Sequence, residues 1–100
     1  MRPTEVEIIE TKRVLKDIKR APVEVVYSYQ TWAELIENHG VSVLRKFHGY
    51  NDEALKGEWK GYRSSRLNKQ WRVIYSLDSQ GSVQIVTVER VTAHDYRRKL

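Results

Sequence analysis

The chain has 100 residues, no cysteine, a net charge of +5 at pH 7 and a sequence pI near 9.6. This length predicts one domain over residues 1–100 with a core that needs no cross-link, and the lack of cysteine excludes disulfides, zinc–thiolate sites and thiol catalysis. A basic balance of this size indicates an anionic partner.

The sequence contains no run of about 18 apolar residues, and its first residues carry no apolar signal-peptide core. We therefore expect a cytoplasmic protein with no membrane partner. His39 and His48 have no ligand partners at metal-binding spacing, so we expect no metal site and no cofactor.

The first twenty residues predict a strand followed by a helix. Apolar residues between Val6 and Ile9 indicate the strand. Thr11 is a suitable N-cap for a helix over Lys12–Arg20, because its hydroxyl can accept a hydrogen bond from a free backbone N–H of the first turn. The pair Ala21-Pro22 ends this helix, and Pro22 fits the first turn of the next.

Residues 23–38 carry the strongest helical pattern of the chain. Apolar residues recur there at i, i+4, i+7 and i+11, namely Val25, Tyr29, Trp32 and Ile36. A further short helix is expected over residues 41–47, and a turn over residues 49–52.

The second half of the chain is strand-like. Three candidate strands cover residues 62–68, 71–77 and 83–92, and the composition of residues 78–81 favours a hairpin turn between the last two. The predicted helices come before a run of consecutive strands in the chain. This order predicts an α+β domain, with the N-terminal helices packed on a small, mostly antiparallel sheet.

Positive charge is concentrated on the first two of these strands. Residues 56–72 hold six basic residues and one acidic residue. Strands that present Arg and Lys beside Trp and Tyr suit a surface that binds phosphates and stacks on bases. Residues 91–98 add an imidazole, His94, and a phenol, Tyr96. Together these features indicate a small RNA-cutting enzyme.

The phrase Leu55-Lys56-Gly57, followed by a basic strand and then Trp71-Arg72-Val73-Ile74-Tyr75, resembles the RelE/ParE superfamily of bacterial toxins. The resemblance covers residues 53–96 most closely and implies a microbial RNase-like fold. It also implies a co-expressed antitoxin, whose contact segment we expect to be acidic. RelE, HigB and YoeB relatives cleave mRNA in the ribosomal A site, whereas ParE relatives poison DNA gyrase.

The resemblance implies four catalytic residues and a set of RNA-binding residues. Arg72 matches the Arg that contacts the reacting phosphate, Arg66 matches a basic residue of the preceding strand, and His94 and Tyr96 match residues of the family's tail. The expected RNA-binding residues are basic and lie near this centre: Lys56, Lys60, Arg63, Lys69 and Arg90. The order His94-Asp95-Tyr96 departs from the family's pattern, which leaves the general acid and the general base open.

Strand alternation constrains which of these arginines can act together. Arg72 should lie on the same face as Ile74 and opposite Tyr75. Arg63 and Arg66 should lie on opposite faces of an unbroken strand, so we expect Arg66 at the catalytic centre. Two other functions stay open at this point: a ParE-like gyrase poison without catalysis, and a nucleic-acid-binding module with no activity.

Overall fold

Two α-helices and five strands organise residues 5–93, the part of the chain described in the computed structural model. In chain order they are β1 (Glu5–Glu10), α1 (Lys12–Arg20), α2 (Val23–His39), β2 (Glu53–Ala54), β3 (Tyr62–Arg66), β4 (Arg72–Gln80) and β5 (Val83–Thr92). The strands form one sheet in the order β1-β5-β4-β3-β2. The pair β1–β5 is parallel and the other pairs are antiparallel, which confirms the expected α+β fold.

Both helices begin and end where the sequence indicated, to within one residue. The N–H of Val14 donates to Thr11 Oγ1 over 3.2 Å, which confirms the N-cap of α1. The carbonyl of Pro22 accepts from the N–H groups of Val25 and Val26, so this proline precedes the helix as its N-cap. The helix α2 ends at Gly40, whose φ of 85° favours glycine. No helix within residues 5–93 is both long and apolar enough to cross a membrane.

The main core lies between the helices and one face of the sheet. The apolar stripe of α2 is buried as expected, and Trp32 and Ile36 are 0% exposed. These side chains pack against Val73, Tyr75 and Val86 from the two central strands. The opposite face of the sheet, called here the open face, carries a smaller cluster of four side chains: Leu55, Trp59, Ile74 and Tyr62.

Two turns differ from the sequence-based expectation. The expected turn at residues 49–52 contains a 3₁₀ turn, His48–Tyr50, and leads into the short edge strand β2, which no pattern indicated. The expected hairpin between β4 and β5 is confirmed, but its turn is shorter than residues 78–81, because β4 continues to Gln80 and pairs there with Val83. The turn itself is Gly81-Ser82, and Gly81 has a φ of 60°, as tight two-residue hairpins require.

A bulge in the β4–β5 pair controls which side chains of β5 face the helices. Ile74 pairs with Arg90, but the next residue of β4, Tyr75, pairs with Val88. The extra residue in β5, Glu89, reverses the alternation of the strand. Val88 and Val91 therefore both face the main core, although three positions separate them.

Candidate functional site

Arg66 and Arg72 lie directly opposite each other at the end of the β3–β4 hairpin. Their strand neighbours on the same face, Ser64 and Ile74, are also cross-strand partners, and Ile74 belongs to the cluster of the open face. Directly opposed residues in an antiparallel pair have Cβ atoms about 5 Å apart, where two like charges repel. An anion bound between the two guanidiniums would remove this repulsion. The structure thus brings these two predicted catalytic residues together on one face.

The turn between β3 and β4 positions the Arg72 side chain. Asn68 Oδ1 accepts from the N–H groups of Gln70 and Trp71, over 2.9 and 2.8 Å, and so closes the turn. Arg72 Nη1 donates to the carbonyls of Asn68 and Trp71 over 3.3 and 3.4 Å. Because guanidinium has five donors, these long contacts leave it able to bind phosphate oxygens as well.

Arg63 lies on the other face of β3, as alternation predicted, and binds a carboxylate. Its Nε and Nη2 donate to Asp52 Oδ2 over 2.9 and 2.7 Å, and Asp52 Oδ1 accepts from Ser65 and Tyr75. Burial lowers the pKa of Arg63, but the hydrogen bond and charge of Asp52 raise it by more, so the net shift is upward. Arg63 therefore joins β3 to the segment before β2, and its contact with RNA stays a prediction.

Arg90 is also held by a carboxylate. Its Nε donates to Asp17 Oδ2 over 2.8 Å and its Nη2 to Asp17 Oδ1 over 3.2 Å. The N–H of Val91 donates to the same carboxylate over 2.9 Å, so Asp17 of α1 also satisfies the backbone of β5 beyond the end of β1. This arrangement assigns Arg90 a role in joining α1 to the sheet, and its predicted RNA contact is untested.

The three predicted RNA-binding lysines are all exposed. Lys56 and Lys60 flank a 3₁₀ turn, Gly57–Trp59, and Trp59 packs on Ile74 in the cluster of the open face. Lys69 lies in the β3–β4 turn, three residues from both Arg66 and Arg72 in the chain. Lys69 therefore lies near the Arg66–Arg72 pair, whereas Lys56 and Lys60 lie near the opposite end of β3.

The other two predicted catalytic residues, His94 and Tyr96, lie outside the described residues. The last strand before them, β5, ends at Thr92, which is the cross-strand partner of Arg72. The place of His94 and Tyr96 relative to Arg66 and Arg72 therefore stays a prediction.

One acidic residue on the open face was not predicted from the sequence. Glu53 of β2 is the cross-strand partner of Ser64 and so lies on the same face as Arg66 and Arg72. A carboxylate beside two guanidiniums can accept a proton and can position one of the cations. The residue was missed because β2 is two residues long, too short for an alternating pattern. Its signal is the acidic pair Asp52-Glu53, which only Ala54 separates from the Leu55-Lys56-Gly57 motif.

Solved structures with the same fold come from bacterial toxins. YafQ from E. coli superposes with a TM-score of 0.70 at 24% identity, covering 87% of this chain and 91% of that one. The YoeB/ParE toxin from Agrobacterium tumefaciens has a TM-score of 0.64 at 23% identity, with 89% and 99% covered. YoeB in the YoeB–YefM toxin–antitoxin complex from Staphylococcus aureus has a TM-score of 0.66 at 19% identity, with 91% and 99% covered.

The likeness to known proteins lies in the fold. The sequence matches no protein-family model and no curated protein. The fold, with helices packed on a mostly antiparallel sheet, is nevertheless the one that the resemblance implied. This chain has the fold of the RelE/YoeB-type toxins of bacterial toxin–antitoxin pairs.

Proposed function

We propose that this protein is the toxin of a toxin–antitoxin pair and cleaves mRNA in the ribosomal A site as an endoribonuclease. The observation that carries the proposal is the opposed pair Arg66–Arg72 on the open face. Two arginines held by a sheet supply fixed positive charge where a phosphate would gain negative charge during reaction. The fold likeness to YafQ and YoeB toxins supports the same function.

The reaction needs no cofactor. The ribose 2′-oxygen attacks the adjacent phosphorus, and the bond from phosphorus to the 5′-oxygen breaks, which leaves a 2′,3′-cyclic phosphate and a 5′-hydroxyl. A base takes the 2′ proton, and an acid gives a proton to the leaving oxygen. Arg66 and Arg72 bind the non-bridging oxygens, which carry the most charge in the transition state.

His94, Tyr96 and Glu53 are the candidates for proton transfer. An imidazole titrates near neutral pH and can serve as acid or base. Tyr96 can stack on a base or bond the phosphate through its hydroxyl. Glu53 offers a carboxylate on the same face as the two arginines. His94→Gln and Glu53→Gln should each slow single-turnover cleavage without weakening ribosome binding. Loss of the general base removes the rise of the rate with pH, and loss of the general acid removes its fall at higher pH.

The remaining basic residues fit a binding role around this centre. Lys56, Lys60 and Lys69 are exposed and can follow phosphates to either side of the reacting one. An antitoxin with an acidic contact segment would cover the same face and block RNA. The YoeB–YefM complex supports an antitoxin partner for a protein of this fold.

The proposal is tested by adding the purified protein to ribosomes programmed with a defined mRNA. New mRNA ends within the A-site codon, carrying a cyclic phosphate, are the expected result. Intact mRNA together with gyrase-dependent double-strand breaks in plasmid DNA would assign the protein to gyrase poisons instead. Intact mRNA with retained RNA binding and intact DNA would leave a binding module without catalysis.

A further inference from the structure

A cavity of about 660 Å³ lies beside the arginine pair, between the N-terminal half of α2, the segment 46–50 and the end of β3. It is called here the aromatic cavity, and its volume is within the range of small-ligand sites. Three aromatic side chains from two of its walls line it, namely Tyr27, Phe47 and Tyr50.

Two aromatic side chains of this cavity are largely exposed and do not belong to the core. Tyr27 is 66% exposed and Phe47 is 49% exposed, while the buried stripe of α2 points elsewhere. Phe47 meets the Tyr50 ring edge-on, with ring centroids 6.5 Å apart. Two large exposed rings on different walls of one cavity leave flat apolar surface available to a planar ligand.

The charges around the cavity favour an anion. Lys46 and Arg66 line it together with His48, and none of its lining residues within the described part of the chain is acidic. The hydroxyls of Ser28 and Thr31 add hydrogen-bonding groups on the α2 wall. A planar group carrying negative charge and polar edges matches this set.

The end of β3 adds backbone groups to the same cavity. The N–H of Leu67 donates to the Trp71 carbonyl across the hairpin, so alternation directs the N–H and C=O of Arg66 to the outer edge of β3. The edge strand β2 pairs with Ser64 and Arg63 and stops short of this position. A donor and an acceptor at a strand edge can read the hydrogen-bonding edge of a nucleobase.

We propose that the aromatic cavity binds one nucleotide of the RNA substrate, adjacent to the phosphate that contacts Arg66 and Arg72. The inference rests on the proposed function, because Arg66 belongs both to the arginine pair and to the cavity wall. The base stacks on Phe47 or Tyr27, as bases commonly do on aromatic side chains, and Lys46 binds a neighbouring phosphate. Arg66 thereby joins recognition of a base to the reacting phosphate.

An acidic peptide segment is the other ligand that the charges allow. The aromatic rings and the shared Arg66 favour RNA, since a peptide needs neither flat stacking surfaces nor proximity to the arginine pair. The two ligands are distinguished by direct competition.

The test uses the full chain and a trinucleotide RNA with 2′-O-methyl riboses, which cannot be cleaved because its nucleophile is blocked. A second probe has an abasic central residue. The expected dissociation constant for the intact probe rises at least about fivefold in Phe47→Ala and in Tyr27→Ala, the size of a lost stacking contact. Phe47→Tyr retains the ring and should bind as the parent does. Leu15→Ala is the control, because Leu15 is 47% exposed on α1, outside the cavity.

The alanine substitutions should have little effect on the affinity for a probe that lacks its central nucleobase. The parent protein should bind the abasic probe more weakly than the intact probe, and Phe47→Ala should add little further loss. Unchanged RNA affinity in both alanine variants overturns the inference. A second pair of results also overturns it. In that case the intact and abasic probes bind equally well, and an acidic peptide competes with the probe only in proteins that retain Phe47 and Tyr27.

The experiments distinguish an error in the nucleotide-binding proposal from an error in the proposed function. Normal ribosomal cleavage by both alanine variants, with unchanged probe binding, overturns the nucleotide cavity and leaves the endoribonuclease intact. Phe47-dependent probe binding by a parent protein that cuts no ribosomal mRNA supports the nucleotide cavity and overturns the cleavage proposal.

Discussion

Four arginines of similar appearance in the sequence have different surroundings in the structure. Arg66 and Arg72 face each other across a hairpin, whereas Arg63 binds Asp52 and Arg90 binds Asp17. The charge of a guanidinium bound to a partly buried carboxylate is largely compensated within the protein. The opposed pair is the candidate for binding an anion because it places two guanidiniums next to each other on one face of the sheet.

Arg72→Ala should lower the cleavage rate by about 10²–10³-fold, the usual effect of removing one fixed charge from a reacting phosphate. The protein should remain folded, because Arg72 is the first residue of β4 and is only partly buried. Single-turnover cleavage on ribosomes and thermal unfolding measure the two quantities. Arg13→Ala, an exposed position on α1, is the control. Full cleavage activity in a folded Arg72→Ala protein would remove Arg72 from the reaction.

Arg90→Ala should instead lower the free energy of unfolding by about 2 kcal/mol, because it leaves the partly buried Asp17 without its charged partner. The side chains of Arg90 and Asp17 are 13% and 15% exposed. Asp17→Asn should be partly tolerated, since the amide can still accept from the N–H of Val91. Denaturant unfolding measures both variants, and an unchanged midpoint in Arg90→Ala would show that the pair contributes little.

Two adjacent serines provide a matched comparison. Ser65 Oγ accepts from Trp32 Nε1 over 3.0 Å and donates to Asp52 Oδ1 over 2.7 Å, whereas buried Ser64 Oγ has no hydrogen-bond partner among the described residues. Ser65→Ala should cost about 1–3 kcal/mol of unfolding free energy, because two buried polar groups lose a partner. Ser64→Ala should be neutral or stabilising. Equal losses in both variants, measured by urea unfolding, would contradict this assignment.

The β4–β5 hairpin shows how elements are aligned by turns and bulges. The two-residue turn Gly81-Ser82 sets the register from one end, and the bulge at Glu89 changes the alternation near the other. The bulge allows Val91 to face the helices while Thr92 lies beside Arg72. The hairpin therefore contributes side chains to the main core and also places a residue beside the arginine pair.

Gly81→Ala should lower the free energy of unfolding by about 1 kcal/mol, because alanine disfavours the left-handed backbone at this turn. Nothing crowds the position, so the loss would report backbone strain alone. Gly49→Ala is the matched control: the position is equally open, but its φ is not positive. This control should be neutral or slightly stabilising through the unfolded chain. Equal stabilities of the two variants would contradict the role of the turn.

At the scale of the whole molecule, two buried phenols make hydrogen bonds that join a helix and a loop to the sheet. Tyr29 of α2 donates to Glu10 Oε2 over 2.6 Å, and Tyr75 of β4 donates to Asp52 Oδ1 over 2.6 Å. Burial, reinforced by the bonded carboxylate, raises the pKa of both phenols above the ordinary value. Both phenols therefore stay protonated in the folded protein at pH values where they ionise in the unfolded chain.

The stabilisation from these raised pKa values is complete below about pH 10, the unfolded value, and is lost as pH rises towards the folded values. The free energy of unfolding should fall above pH 10 by up to about 1.4 kcal/mol per pH unit for each phenol. Tyr75→Phe should make this decline shallower, although it also removes a hydrogen bond at every pH. Tyr27→Phe, at an exposed tyrosine, is the control. Urea unfolding between pH 8 and 11 provides the slopes, and identical slopes in all three proteins would exclude this linkage.

Local chemistry decided much of the secondary structure and part of the site. The Thr11 cap, the buried stripe of α2 and the opposite faces of Arg63 and Arg66 follow from hydrogen bonding and periodicity within a few residues, which the sequence displays directly. The family-like order of motifs around Arg72 also predicted the fold.

Long-range pairing decided the rest. Several features depend on segments that meet only after folding. They are the parallel pairing of β1 with β5, the edge strand β2 with Glu53, and the aromatic cavity. The ion pair of Asp17 with Arg90 joins residues 73 positions apart, and no local pattern marks such partners. Only the packed sheet brings Asp52 to Arg63, Asp17 to Arg90 and Arg66 to Arg72, because the surroundings of a charge depend on neighbours in space rather than on neighbours in the chain.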